Sequence, residues 1–285
     1  MDSVLVLIAA PGSGAIGPAT VALLSEHGAG SLRWLAEGEA LEVPDFAGRA
    51  AFLAAISGSA VDANVVPLAN RRKRLLIADM DSTMIQQECI DELGVMAGIG
   101  DHIKQITARA MRGELDFEGA LKERVKLLRG LPEGIIAQIL RERISFMPGG
   151  RTLLATMKAH GAYTALVSGG FTPFTSAVAA ALGFDENQAN ELIVADGILT
   201  GEVGQPILGQ QAKLEALRRI AARMGIATAD ALAVGDGAND LAMIGEAGMG
   251  VALHAKPQVQ AEARYRVNHG DLTALLYLQG YSRAQ

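Results

Sequence analysis

Two short apolar runs, each leading into a pair of nearby aspartates, constrain this 285-residue chain more than any other feature. Leu75-Leu76-Ile77-Ala78 precedes Asp79-Met80-Asp81-Ser82-Thr83, and Ala231-Leu232-Ala233-Val234 precedes Gly235-Asp236-Gly237-Ala238-Asn239-Asp240. A continuous apolar run of this length bounded by turn residues reads as a strand buried on both faces, the strand type of a parallel sheet covered by helices. Open sheets of that kind place ligands beyond the carboxyl ends of their strands, where both aspartate groups fall. Strands at 75–79, 163–168, 231–236 and 250–253 alternate with helical patterns, so an α/β core with helices on both faces is expected.

Between residues 85 and 145 apolar residues recur at helical spacing, as at Ile90, Leu93, Met96 and Ala97 and again at Leu121, Val125 and Leu128. A helical insertion after the first core strand follows. Residues 192–194 and 198–203 read as a hairpin turning at Asp196-Gly197. The first 70 residues read as strand 4–10, helix 15–27, strands 32–36 and 40–43, helix 46–56 and strand 64–68, the βαββαβ order of a small ferredoxin-like α+β unit. The expected division is therefore 1–70 and 71–285, with a core of 71–84 and 146–285 and an insertion at about 85–145. Arg71-Arg72-Lys73-Arg74, between the two units, is expected to be a solvated junction.

Several readings are set aside. Gly12-Ser13-Gly14-Ala15-Ile16-Gly17, with Glu37 beyond it, spells a dinucleotide fingerprint, but too few residues follow for the βαβ units such a fold needs. With 25 Lys+Arg against 31 Asp+Glu, the net charge of −6 argues against a nucleic-acid partner. The single cysteine, Cys89, suits a reducing compartment, and an acidic start followed by a short apolar run does not read as a signal peptide, so a cytoplasmic location is expected. Residues 161–184 carry no charge, yet Ser168-Gly169-Gly170 and Thr172-Pro173 interrupt them. A buried strand, a loop and a helix are expected there, not a membrane span.

The aspartates carry the chemistry. Asp79 and Asp81, at i and i+2 of an extended segment, can face one atom as nucleophile and proton donor. Crowded carboxylates repel, which favours a divalent cation and pushes the second Asp toward holding a proton. With Asp236 at the same sheet edge, hard oxygen ligands in small number suit Mg²⁺; no Glu follows at the spacing of an EF-hand. The Ser168 hydroxyl and Gly169 amide can donate to phosphate oxygens, and Lys213, in a helix spanning 212–224, can supply a point positive charge. Read alone, Glu88 and Arg124 are equally ordinary surface charges.

In this order, D-x-D-x-T, a Ser, a Lys and G-D-G-x-N-D resemble the haloacid dehalogenase superfamily of aspartate-nucleophile phosphatases, over about residues 74–270. The resemblance implies a Rossmann-like core with a helical, C1-type cap after its first strand. It implies that Asp79 forms an aspartyl-phosphate, that Asp81 protonates the leaving oxygen and then activates water, and that Asp79, the Asp81 backbone carbonyl and Asp236 hold Mg²⁺. Gln86-Gln87-Glu88-Cys89-Ile90, Met111-Arg112-Gly113-Glu114-Leu115-Asp116-Phe117 and Glu123-Arg124-Val125 resemble the phosphoserine phosphatases within that superfamily. That implies O-phospho-L-serine as substrate, with Glu88 on its amino group, Arg124 on its carboxylate, and Ser168, Gly169, Lys213 and Asn239 around its phosphate. It further implies a lid from Met111 and Phe117, an orienting role for Asp240, and L-serine, the end of its own biosynthesis, as product. The N-terminal unit resembles an ACT-like regulatory module, which implies amino-acid binding or a homodimer surface. Two alternatives stand beside this: a phosphatase or phosphotransferase acting on another small amino-phosphate, and an amino-acid-binding regulator carrying an inert phosphatase fold.

Overall fold

The computed structural model describes residues 3–111 and 114–283. Its first strand, β1 (Ser3–Ala9), is buried on both faces from Val4 onward. Leu5, Leu7 and Ala9 join a cluster with Leu24 of α1 (Pro18–Glu26) and, after β2 (Arg33–Ala36) and β3 (Ala40–Pro44), Phe52 of α2 (Arg49–Ala55). Val4, Val6 and Ile8 point the other way, into the main core of the molecule. With β4 (Val61–Pro67) these strands make an antiparallel sheet of order β2-β3-β1-β4, in the βαββαβ order read from the sequence. Such a sheet offers no parallel βα crevice for a dinucleotide, and the Gly12–Gly17 stretch is a turn between β1 and α1.

The core begins with β5 (Leu75–Ala78), continues through the inserted helices α3 (Cys89–Met96), α4 (Gly100–Met111), α5 (Phe117–Lys126) and α6 (Gly134–Glu142), and returns at α7 (Gly150–Ala159). There follow β6 (Tyr163–Phe171), α8 (Thr172–Leu182), β7 (Glu186–Asn190), the hairpin β8 (Leu192–Ala195) and β9 (Ile198–Val203), and α9 (Gln210–Met224). The chain ends in β10 (Ala231–Gly235), α10 (Leu241–Glu246), β11 (Met249–Leu253), α11 (Pro257–Glu262), β12 (Tyr265–Val267) and α12 (Ala274–Leu278). The large sheet runs β12-β11-β10-β5-β6-β7, and every adjacent pair is parallel. Leu76 and Ala78 of β5 face the main core, while Leu75 and Ile77 pack with Ala216, Leu217 and Ile220 of α9 on the opposite face.

The uncharged stretch 161–184 is β6 and α8, joined without an intervening loop. No helix among the described residues is long and apolar enough to cross a membrane. The hairpin turns at Asp196 and Gly197, both at positive φ, as the twist of a two-residue connection requires. The sequence reading lacks β7 and β12, because both are edge strands. β7 reads Glu-Asn-Gln-Ala-Asn with no apolar signature, and β12 is only three residues long.

One expectation is corrected. The basic run 71–74 is a solvated junction only in part: Arg72 and Arg74 are exposed, but Arg71 and Lys73 are buried. Arg71 pairs with Glu42 of β3 (2.8 Å) and donates to the carbonyls of Leu278 (2.7 Å) and Tyr277 (3.1 Å). Lys73 Nζ donates to the carbonyls of Asn70 and Ala229, both at 2.7 Å. Helix-end and loop carbonyls from Tyr277, Leu278, Asn70 and Ala229 converge on this junction, and the two long cations satisfy them.

Candidate active site

Three neighbouring strands end at one place. β5 runs into Asp79, β6 carries Ser168-Gly169-Gly170, and β10 runs into Asp236, so the parallel register of β10, β5 and β6 brings the groups together. They open on a cavity of about 440 Å³ whose other wall belongs to the inserted helices. Asp79, Asp81, Glu88, Arg124, Ser168, Gly169, Asp236 and Asn239 all line it, as does Phe117. Lys213, from the first turn of α9, reaches it from beneath through Asp79. The side chain of Met111, expected in the lid, lies outside the described residues.

Lys213 is fully buried between two carboxylates, 2.7 Å from Asp79 Oδ1 and 2.6 Å from Asp240 Oδ1. Burial disfavours its ammonium, but Asp240 and Asp79 together outweigh that and hold it protonated. Asp79 Oδ1 also accepts the Met80 amide (2.8 Å). Burial, then Asp240, push the Asp79 carboxyl well above the usual carboxylate range. Asp240 takes the Gly237 amide on its second oxygen (3.0 Å), so it touches both Lys213 and its own loop.

Asp81 accepts the Cys89 amide at the start of α3 (3.0 Å). Burial, reinforced by the Glu88 charge, raises its carboxyl to about 7. That is the range in which a carboxyl both gives and takes a proton at neutral pH. Gly170 has no side chain for a steric reason: a Cβ there would lie 2.7 Å from Asp81 Oδ2. Asp236 is raised to about 6 by burial, against which Lys256 Nζ, 3.6 Å away, pulls it down.

Carboxylate oxygens of Asp79, Asp236 and Asp240 lie within 4.8 Å of one another. This all-oxygen, acidic set fits a hard divalent cation, which would relieve the desolvation that raises Asp79 and Asp236. The sequence reading chose Asp79, Asp236 and the Asp81 carbonyl. Asp240 stands in the cluster as well, already committed to Lys213.

The inserted helices supply the opposite wall. Glu88, the residue before α3, accepts the Ser82 hydroxyl (2.8 Å). Arg124 of α5 donates to the Ala120 carbonyl (3.2 Å), and Asp91, Glu88 and Asp81 act on its charge. Phe117, at the start of α5, spans to the core: a Cβ at Gly169 would meet its ring at 3.0 Å and one at Gly209 at 3.2 Å. Lys256, Gln210 and Thr107 also line the cavity and were missed, because none was singled out by a motif, and Gly170 of the Ser-Gly-Gly run lines it too. Asn190, buried at the end of β7, was missed too: it donates to the Gly169 carbonyl (2.9 Å) and accepts the Leu208 amide (2.7 Å), tying the Ser168 loop to the approach of α9.

The haloacid dehalogenase-like hydrolase family matches residues 76–245, more than half of the chain. The chain belongs to this family. Within it, the chain is 48% identical over 204 residues to the phosphoserine phosphatase of Haemophilus influenzae, an alignment covering 72% of this chain and 65% of that protein. It spans 53% of the length of the Streptomyces coelicolor phosphoserine phosphatase. A haloacid dehalogenase family hydrolase from Salmonella enterica serovar Typhi has the same overall structure, at a TM-score of 0.87 and 30% identity, covering 97% of this chain and 98% of that one. A structure described as a phospho-aspartyl intermediate analogue of phosphoserine phosphatase matches at a TM-score of 0.67 and 40% identity, covering 72% of this chain and 98% of that one. At 97% coverage the Salmonella match includes the N-terminal unit of this chain, whereas the second match covers a smaller share of the chain.

Proposed function

We propose that this chain is a phosphoserine phosphatase that hydrolyses O-phospho-L-serine to L-serine and phosphate through an aspartyl-phosphate, with Mg²⁺, as the last step of L-serine biosynthesis in the cytoplasm. The observation that carries this reading is a single cavity holding the Asp79/Asp81 pair with Lys213 at its base and Glu88 and Arg124 on its cap wall. A substrate bearing phosphate, ammonium and carboxylate has a partner for each charge in it. The relatives named phosphoserine phosphatase support the same substrate.

Asp79 attacks phosphorus with the oxygen not held by Lys213, and the bond from phosphorus to the seryl oxygen breaks. Asp81 delivers its proton to that leaving oxygen, releasing serine. As a carboxylate, Asp81 then takes a proton from water, whose oxygen attacks phosphorus, freeing phosphate and restoring Asp79. Lys213 offsets charge on the phosphoryl group, while Ser168, the Gly169 amide and Asn239 orient its oxygens. Asp79, Asp236 and the Asp81 carbonyl would hold Mg²⁺, which when bound neutralises further phosphoryl charge.

The reading is tested by phosphate release from L-phosphoserine with Mg²⁺ or EDTA, using wild type and Asp79→Asn, beside phosphothreonine and glycerol phosphate. Metal-dependent turnover of phosphoserine, lost in the variant and weak on glycerol phosphate, is expected. Equal turnover of glycerol phosphate would remove the Glu88/Arg124 assignment and leave a general phosphatase. No release from any of the three would remove the proposal.

A further inference from the structure

We propose that Ser82 is the positioning residue that sets amine selectivity, by locking Glu88 with one oxygen so that the rest of its carboxylate meets the substrate ammonium. The inference rests on the reading of Glu88 given above. Ser82 lies between the Asp79/Asp81 pair and the cap, and its backbone is left-handed, at φ +55°. Glycine or asparagine takes that conformation readily, whereas serine adopts it at a cost, so its presence needs a reason in the side chain.

The reason is on the opposite side of the turn. The Ser82 amide donates to the Gln87 carbonyl (3.2 Å), closing residues 82–87 into a loop. That closure brings the Ser82 hydroxyl to Glu88 Oε1 at 2.8 Å. One residue further on, the Cys89 amide holds Asp81. The loop therefore ties the proton donor and the amine-facing carboxylate together.

Glu88 needs such a tether. Asp81 and Asp91 press negative charge on the same space, opposed by Lys213 at Asp81 and by Arg124 and Lys104 at Asp91. A glutamate side chain free to rotate would swing from these carboxylates toward solvent. A hydroxyl donated to one oxygen fixes the rotamer without neutralising the charge, and a carboxylate has lone pairs to spare for an ammonium.

The test compares kcat/KM for L-phosphoserine and for glycerol phosphate in wild type, Ser82→Ala, Ser82→Gly and Glu88→Gln. Both Ser82 variants lack the hydroxyl, but glycine accepts φ +55° without strain. If the hydroxyl positions Glu88, each Ser82 variant lowers the phosphoserine-to-glycerol phosphate ratio by about three- to ten-fold, the scale of the net contribution of one intramolecular hydrogen bond. The loss lies in KM for phosphoserine, and adding Ser82→Gly to Glu88→Gln changes the ratio no further. A ratio kept in Ser82→Gly but lost in Ser82→Ala would assign the effect to backbone strain and overturn the proposal. An unchanged ratio in both, or equal losses on both substrates, would overturn it too. A wild-type enzyme showing no preference for phosphoserine would instead overturn the underlying substrate reading.

Discussion

At the scale of single residues, the site is governed by how few cations serve its carboxylates. Lys213 is the buried counter-charge of both Asp79 and Asp240. Lys213→Met should therefore abolish turnover and also destabilise the metal-free fold by about 3–5 kcal/mol at pH 8, the cost of stranding buried charge, read from urea unfolding. Asp236 gives a pH test. Its folded carboxyl is raised to about 6 against an ordinary value near 3.8, so between those values the folded protein binds more protons than the unfolded chain. Stability from this group then falls as pH rises through that window, and asparagine carries no such dependence. Without metal, Asp236→Asn should melt higher than wild type at pH 8, with the gap closing toward pH 4; saturating Mg²⁺ should reverse the order. A gap that is constant across pH would show that burial does not control this group.

At the scale of elements, catalytic geometry depends on β6 continuing past Ser168 without side chains. A Cβ at Gly170 would lie 2.7 Å from Asp81 Oδ2, on the proton donor itself, whereas one at Gly169 would meet the Phe117 ring, which belongs to the cap. Gly170→Ala should lower kcat by about 100-fold through displacement of Asp81, and Gly169→Ala should act more weakly and mainly on KM, because the cap is the part that gives. Steady-state kinetics of the two variants decides this. Equal effects would mean that the cap does not yield at Phe117. The Ser-Gly-Gly run was visible in the sequence as a turn at a strand end. Its contact with Phe117 was not, since that joins residues from different elements.

Over the whole molecule, the N-terminal unit is part of the core. Asp62 of β4 accepts the amides of Asn268, His269 and Gly270 (2.7, 2.8 and 3.0 Å), and Asn64 brackets the backbone of Arg266 on β12 (2.9 and 3.0 Å). An asparagine side chain thus occupies the hydrogen-bonding edge that a seventh strand would take. Asp62→Ala should cost about 2–4 kcal/mol in thermal or urea unfolding, since three amides, that of Gly270 buried, lose a charged acceptor. Removing residues 1–70 should give a chain that aggregates on size-exclusion chromatography, because it bares both this edge and the main-core surface covered by Val4, Val6 and Ile8. A monodisperse, active truncation would show that the two parts are separable. Local chemistry was legible in the sequence: apolar runs ending in Asp place β5 and β10 and the carboxylates, helical spacing places the cap, and Asp-Gly places the hairpin. These signals lie within a few consecutive residues, where periodicity and turn chemistry act. The edge strands β7 and β12, the burial of Arg71 and Lys73, the reach of Lys256 and Asn190 and the hold of Ser82 on Glu88 were decided only by tertiary structure. Each depends on which distant backbone or charge comes to lie opposite, and residue types alone do not specify that.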